Sequence, residues 1–243
     1  AKIVGRPITD SFTNTFTVGL LTALLVAPVP LVLTVTGWLL ESAGENELVT
    51  GLGQSLLNIS LYFFCLRFFR AVCIPRGLAE VHFRWPKDKL DFLGKELDRF
   101  FVVIIPTSLL VLLAVSLQQE DEFGILARLS FLIANLALIV FLYRILHPAK
   151  GVLSHLREQE STTRIVSSYP ILFFLLILFP ISLVILAFSG YTYSVGVVSS
   201  MFGHTLLLIL ALVILKSLLL RWLEVVRRKM NYETLCEKRR ERL

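Results

Sequence analysis

Residues 100–146 read FFVVIIPTSLLVLLAVSLQQEDEFGILARLSFLIANLALIVFLYRIL, two apolar runs separated by a short polar turn. Phe100–Leu117 and Ile125–Leu146 each come close to the roughly 20 apolar residues that carry an α-helix through a bilayer. The turn between them, Gln118–Gly124, holds Glu120, Asp121 and Glu122 and no base, while Arg144 stands at the far end. Apolar rods with acids at one end and a base at the other describe a helical hairpin that crosses a membrane twice.

Working outward, the same pattern recurs. Further runs lie at about 16–40, 51–74, 169–190 and 195–220. The expected fold class is an all-α membrane protein, a polytopic bundle of about six transmembrane helices with a cytoplasmic amphipathic helix. Residues 1–220 form this domain, and 221–243 form a basic cytoplasmic tail. Composition agrees: 56% of the chain is hydrophobic and mean hydropathy is +0.76. A soluble chain of this length would have to hide more apolar surface than one core can hold. The chain starts at Ala1, and no short signal-like segment precedes the first long run. It therefore reads as a piece of a longer protein or a processed product.

Charge sorting sets the orientation. The turn Glu41–Thr50 carries Glu41, Glu45 and Glu47 without a base, and the turn at Tyr191–Ser194 carries no charge. The opposite side collects Lys2 and Arg6, then Arg67–Arg99, Arg144–Arg164 and the tail after Lys216, each net positive. The positive-inside rule places both ends in the cytoplasm. The net charge of +6 is read as membrane electrostatics and not as a nucleic-acid footprint. Trp38, Tyr191 and Tyr193 fall at outer boundaries, and Trp85, Tyr169 and Trp222 at inner ones, where amphipathic rings are favoured.

Two stretches are expected at the lipid interface. After Pro86, Leu90, Leu93, Leu97 and Phe101 recur at helical spacing among charged residues, as in a helix lying on the inner leaflet before it turns into the third span. In the tail, Arg221, Trp222, Arg227 and Arg228 mark a basic helix leaving the membrane. The plainer reading is a solvated extension of the last span; the sharper one is attraction to anionic lipid.

Candidates for chemistry are few. None of the runs has an Asp or Glu away from its ends, which argues against a proton- or sodium-coupled transporter. Arg67, Arg70, Arg128, Arg144 and Lys216 lie near span ends, where snorkelling explains them. Gln54 and Asn58 share a face of the second span, and Asn135 adds a polar point to the fourth. Gly203 and His204 belong to a small, polar face of the sixth. These are helix-packing candidates. Pro28, Pro30, Pro106 and Pro180 are hinge candidates, with a pronounced bend expected at Pro28-Val29-Pro30. His204 is expected to be neutral and bonded to a neighbouring helix. His82, His147 and His155 share one side of the membrane, but no Cys/His pair stands at metal spacing. No phosphate loop, nucleophile elbow or HExxH motif occurs. The expectation is no catalytic, cofactor-binding or metal-binding residue, and no enzyme activity.

Several stretches in order resemble the inner-membrane domain of the large mechanosensitive channels, the MscK/MscM type within the MscS superfamily. They are GRPITDSFTNTFTVGLLTALLVAPVPLVLTVTGWLL at the start, RGLAEVHFRWP from Arg76 to Pro86, SGYTYSVG, and the exit RWLEVVRRKMNYETLCEKRRERL. The resemblance implies a bacterial inner-membrane location. It implies one helix before Ala1, and after Leu243 a pore module of the same longer chain, to which residues 221–243 lead. It also implies a homo-oligomer, a heptamer. The function it implies is a peripheral membrane-sensing domain that couples bilayer tension to a pore outside this chain, with membrane lipids as partners. A stand-alone small-molecule transporter is the alternative, and a lipid-modifying enzyme using the three histidines is a third.

Overall fold

A computed structural model of the chain describes residues 12–44, 46–83, 85–117, 122–147 and 164–240. Lys2 and Arg6, Glu45, Glu120 and Asp121 of the acidic turns, and His155 lie outside them. All described elements are helical: α1 (Phe12–Val26), α2 (Pro28–Ser42), α3 (Glu47–Val72), α4 (Leu78–Val81), α5 (Lys87–Leu117), α6 (Glu122–Leu146), α7 (Arg164–Phe188) and α8 (Thr192–Arg240).

Local chemistry sets several boundaries. Asn46, in extended conformation, accepts the Leu48 N–H on its side-chain oxygen and caps α3. Glu47 and Arg70 then lie at the ends of α3 where their charges suit the helix dipole. Pro86 precedes α5, and its carbonyl accepts the Leu90 N–H at 3.1 Å. A proline does no harm at a helix start, where no partner awaits an N–H. Gly190, at φ +91°, ends α7 in a conformation that side chains resist.

The bend falls at Ala27: α1 and α2 differ in direction by 48°. Pro28 and Pro30 supply no N–H, so two rungs of the helical ladder are absent. Bonds from Ala27 N to Ala23 O (2.9 Å) and from Leu31 N to Ala27 O (3.0 Å) keep the chain coiled through the corner. Pro106, by contrast, sits inside the continuous α5. The hydroxyl of Thr107 beside it donates to Val103 O at 2.7 Å.

Four helices among the described residues are long and apolar enough to cross a membrane: Glu47–Val72, Lys87–Ala114, Ile125–Leu146 and Ser194–Tyr232. The bent α1–α2 pair makes five if it is one span. Phe173–Phe188 is a shorter apolar helix.

The segment after Pro86 is the first part of α5, so the amphipathic stretch extends the third span as one helix with no turn between them. Leu90, Leu93 and Leu97 are buried, at 2%, 5% and 4% exposure. Leu93 and Leu97 are therefore core residues and not a lipid-facing stripe. Their partners are Phe69, Val72 and Cys73 at the end of α3, and Leu78 and Ala79 of α4. An apolar stripe looks the same in sequence whether lipid or protein covers it.

Elsewhere α2 packs on α3 through glycines. A Cβ on Gly53 would lie 2.6 Å from Glu41 N and 2.7 Å from Gly37 O, so only hydrogen fits between these backbones. The other close pairs are α5–α6 and α3–α5. α7 lies on α6, and α8 touches α7, α1 and α3.

Candidate functional site

The elements meet at one place. The buried cluster of Phe69, Val72, Cys73, Leu78, Ala79, Leu90, Leu93 and Leu97 is ringed by Val18 of α1, Phe141 and Ile145 of α6, and Leu210 and Ile214 of α8. It stands beside the charged loop at the end of α3.

The turn into this joint is tight. Gly77 N donates to Ile74 O at 2.8 Å, with Pro75 and Arg76 between them. Arg76 has φ +61°, the position where a type II turn ordinarily takes glycine. Its own N–H donates to Glu80 Oε2 at 2.7 Å, and Lys87 Nζ lies 3.1 Å from Glu80 Oε1. The Arg76 N–H, followed by Lys87, holds the Glu80 carboxyl below its ordinary range. A methyl on Gly77 would press to 2.6 Å from Ile74 O. One turn on, His82 is 6% exposed and its Nδ1 lies 2.9 Å from Thr15 Oγ1 of α1. Arg76, Gly77, Glu80 and His82 of the conspicuous RGLAEVHFRWP stretch thus tie α1, α3 and α5.

Ion pairs lock the same end. Arg70 of α3 grips Asp98 of α5 with two parallel bonds, Nε to Oδ1 at 2.9 Å and the second terminal nitrogen to Oδ2 at 2.8 Å. Gly94 makes room for that guanidinium, 3.1 Å from where a Cβ would be. Arg67 lies over the Phe101 ring at 4.2 Å. Glu96 of α5 is 5% exposed and accepts from Arg144 of α6 and from Arg99. Arg67, Arg70 and Arg144, placed near span ends by the sequence, thus each meet a partner on another part of the protein. Asp98 and Glu96 gave no such signal because their partners lie 28 and 48 residues away.

The other candidates spread along the helices. Gln54 and Asn58 are exposed, and Gln54 reaches Glu41 only at 3.5 Å. Asn135 is buried and donates back to Phe131 O at 2.9 Å within α6. Gly203 lets Tyr62 of α3 approach, at 3.6 Å from a would-be Cβ. His204 Nδ1 donates to Ser200 O at 2.8 Å, and the Tyr62 hydroxyl lies 3.3 Å from its Nε2. Pro30 and Pro180 are buried, whereas Pro28 and Pro106 are exposed.

At the expected interface, Trp85 is half-buried against the joint and 6.2 Å from the Phe83 ring, while Trp222 and Arg227 are exposed. Arg221 differs from expectation. It is 2% exposed and donates to Glu224 Oε2 at 3.3 Å. Glu224 Oε1 also takes Arg228 at 2.5 Å, so a carboxylate one turn away holds both arginines inside α8. His82 and His147 have separate neighbours, Thr15 and the Tyr143 ring. Among the described residues no three His, Cys, Asp or Glu side chains gather as a metal group would require.

Long apolar helices gathered at one end by a buried cluster and crossing ion pairs define a polytopic helical membrane domain. Comparison with known proteins makes this specific. All of the chain, residues 1–243, matches the mechanosensitive ion channel inner membrane domain 1 family, and the chain belongs to that family of channel domains. It is similar to the miniconductance mechanosensitive channel MscM of Escherichia coli (strain K12), at 20% identity over 243 residues. The match covers 100% of this chain and 22% of that protein, so the chain spans about a fifth of the relative it matches. No solved structure matches.

Proposed function

We propose that this chain is the peripheral tension-sensing domain of a mechanosensitive channel and passes a bilayer bias to a pore outside residues 1–243. The observation that carries the reading is the distribution of apolar surface. Apart from the joint and the α2–α3 seam, the helices turn large apolar side chains outward, among them Leu25 at 75%, Val102 at 72%, Ile125 at 72% and Phe188 at 76% exposure. Such a body is gripped by lipid along most of its length. Tension favours whichever state occupies more area in the plane, and helices held at one end can respond by changing their splay at the other.

In this reading α7 completes a sixth span and both ends face the cytoplasm, as the loop charges favour. The Pro28–Pro30 corner, with Pro106 and Pro180, supplies hinge positions. Gln54, Asn58, Asn135, Gly203 and His204 are packing positions, and Trp85, Trp222 and Arg227 are interfacial anchors. The chain works inside a larger homo-oligomer, a heptamer by family resemblance, in a bacterial inner membrane.

Patch-clamp of the full-length protein tests the proposal. Leu97→Ala loosens the joint and shifts the gating tension, with Gly19→Ala, where nothing lies within 4 Å of the new carbon, as the control. Unchanged tension in correctly inserted Leu97→Ala channels removes the joint from the gating path.

A further inference from the structure

One end of the α5–α6 pair is built around a carboxylate with more cation than it needs. Glu96 Oε1 accepts from a terminal nitrogen of Arg99 at 2.5 Å and of Arg144 at 3.2 Å, and its Oε2 accepts from Arg144 at 3.0 Å. Two guanidinium groups therefore sit side by side on one carboxylate. Two other acids nearby are already engaged: Asp98 is taken by Arg70, and Glu80 by Lys87 and the Arg76 N–H.

The pair is also open. The Glu96 side chain is 7% exposed, but that of Arg99 is 64% and that of Arg144 is 45% exposed. Each guanidinium has five N–H donors, and the bonds to Glu96 use one terminal nitrogen of each. The remaining donors are available for a second acceptor. Burial of the carboxylate fixes the two forks, which lowers the entropy lost when they close on a ligand.

Position selects the ligand. Arg99 immediately precedes the apolar run of α5, and Arg144 lies two residues before the end of α6. The sequence pattern therefore puts both at the expected membrane boundary, the level of lipid phosphates. Lys95, exposed one turn before Arg99, adds a third cation to that face. Tyr143, 50% exposed and edge-on to His147 at 5.5 Å, supplies the amphipathic ring that favours this depth.

We propose that Arg99 and Arg144, oriented by Glu96, bind a phosphodiester oxyanion, the headgroup phosphate of an anionic phospholipid. One such phosphate neutralises the surplus charge and accepts a fork from each arginine. A zwitterionic lipid carries the same phosphate but brings a cation with it, so it binds less well. Each guanidinium near an anionic surface contributes about 1 kcal/mol, or about fivefold in affinity. The site requires only that the chain spans a bilayer, so the gating experiment can fail without affecting it.

Native mass spectrometry of the full-length protein, delipidated and titrated with phosphatidylglycerol, phosphatidylcholine or inorganic phosphate, tests the site. Expected is retention of phosphatidylglycerol over phosphatidylcholine, reduced about fivefold by Arg99→Gln and by Arg144→Gln. Arg128→Gln, which removes one exposed charge at the other end of α6, is expected to leave retention unchanged. Arg99→Gln is decisive if Arg144→Gln misfolds, because it leaves the Glu96–Arg144 bridge intact. Equal loss in Arg128→Gln, or wild-type retention in Arg99→Gln, overturns the proposal. Displacement of lipid by millimolar inorganic phosphate assigns the site to free phosphate and overturns the lipid assignment.

Discussion

A methyl group on Gly53 should separate α2 from α3. The added carbon would lie 2.6 Å from Glu41 N and 2.7 Å from Gly37 O, both backbone atoms that no rotamer change can move. Non-bonded heavy atoms settle about 3.5 Å apart, so α2 has to withdraw by about 0.8 Å at this point. A gap of that size forfeits a quarter to a half of each contact of about 0.1–0.2 kcal/mol, and over about 40–60 atom pairs the seam loses about 3 kcal/mol. Better helix propensity of alanine returns about 1 kcal/mol. The net cost is about 2 kcal/mol, within the range of overpacked cores. The Thr34–Ser60 hydroxyl contact across the same seam, now 3.0 Å, would lengthen as well. The control is Gly19→Ala, where nothing lies within 4 Å of the new carbon. It should be neutral or stabilising by up to about 1 kcal/mol. Unfolding in mixed micelles, followed by helical circular dichroism, compares the two. Equal stability of the two variants would refute the seam argument.

Three further outcomes follow from the joint. Arg76→Gly should fold at least as well as wild type while Arg76→Val loses about 2 kcal/mol, because φ +61° is costly for a β-branched side chain; thermal unfolding in detergent measures both. The depressed Glu80 carboxyl contributes stability above its unfolded pKa, about 4.3, and loses it as pH falls through the lower folded value. Wild type and Glu80→Gln should therefore differ at pH 6 and converge as pH falls through the lowered folded value, and a gap that widens on acidification contradicts the assignment. Glu96→Gln leaves Arg144 and Arg99 without their anion. Since Arg144 is half-exposed, the cost is about 1–2 kcal/mol, not the larger penalty of a fully buried pair, and a Glu96/Arg144 double-mutant cycle should recover most of it as coupling.

Much of the architecture was legible in the sequence because its signals are local. A run such as Ile125–Leu146 announces a spanning helix by length alone, and Pro28-Val29-Pro30 announces a bend because two N–H groups are missing in one turn. The joint was harder to see. Leu93 and Leu97 form a helical stripe, and a stripe says which face is covered but not by what; α4 and the end of α3 cover it. Arg70 and Arg144 sit near span ends in the pattern of snorkelling cations. Their true partners, Asp98 and Glu96, are charges of a kind expected on any interfacial helix. The Gly37–Gly53 contact left no mark that distinguishes it from other glycines, since close approach needs two positions far apart in the chain.

The physical difference between bilayer and interface explains why cohesion is concentrated where it is. Inside lipid, leucines on neighbouring helices gain nothing by meeting each other instead of acyl chains, so only close backbone approach or hydrogen bonding holds a pair. The α2–α3 seam takes the first route, through Gly37 and Gly53, and the Tyr62–His204 contact between α3 and α8 takes the second. At the charged end the leucine stripe of α5 is buried and the arginines find carboxylates; in the proposed placement water reaches this end and the hydrophobic effect acts there. Because α5 is one helix from Lys87 to Leu117, about 46 Å at 1.5 Å per residue, the water-built joint and the lipid-gripped span are the same rod. In the proposed tension-sensing role, a small tilt at the lipid-gripped end then acts as torque on Asp98 and Glu96, where α3 and α6 are fastened.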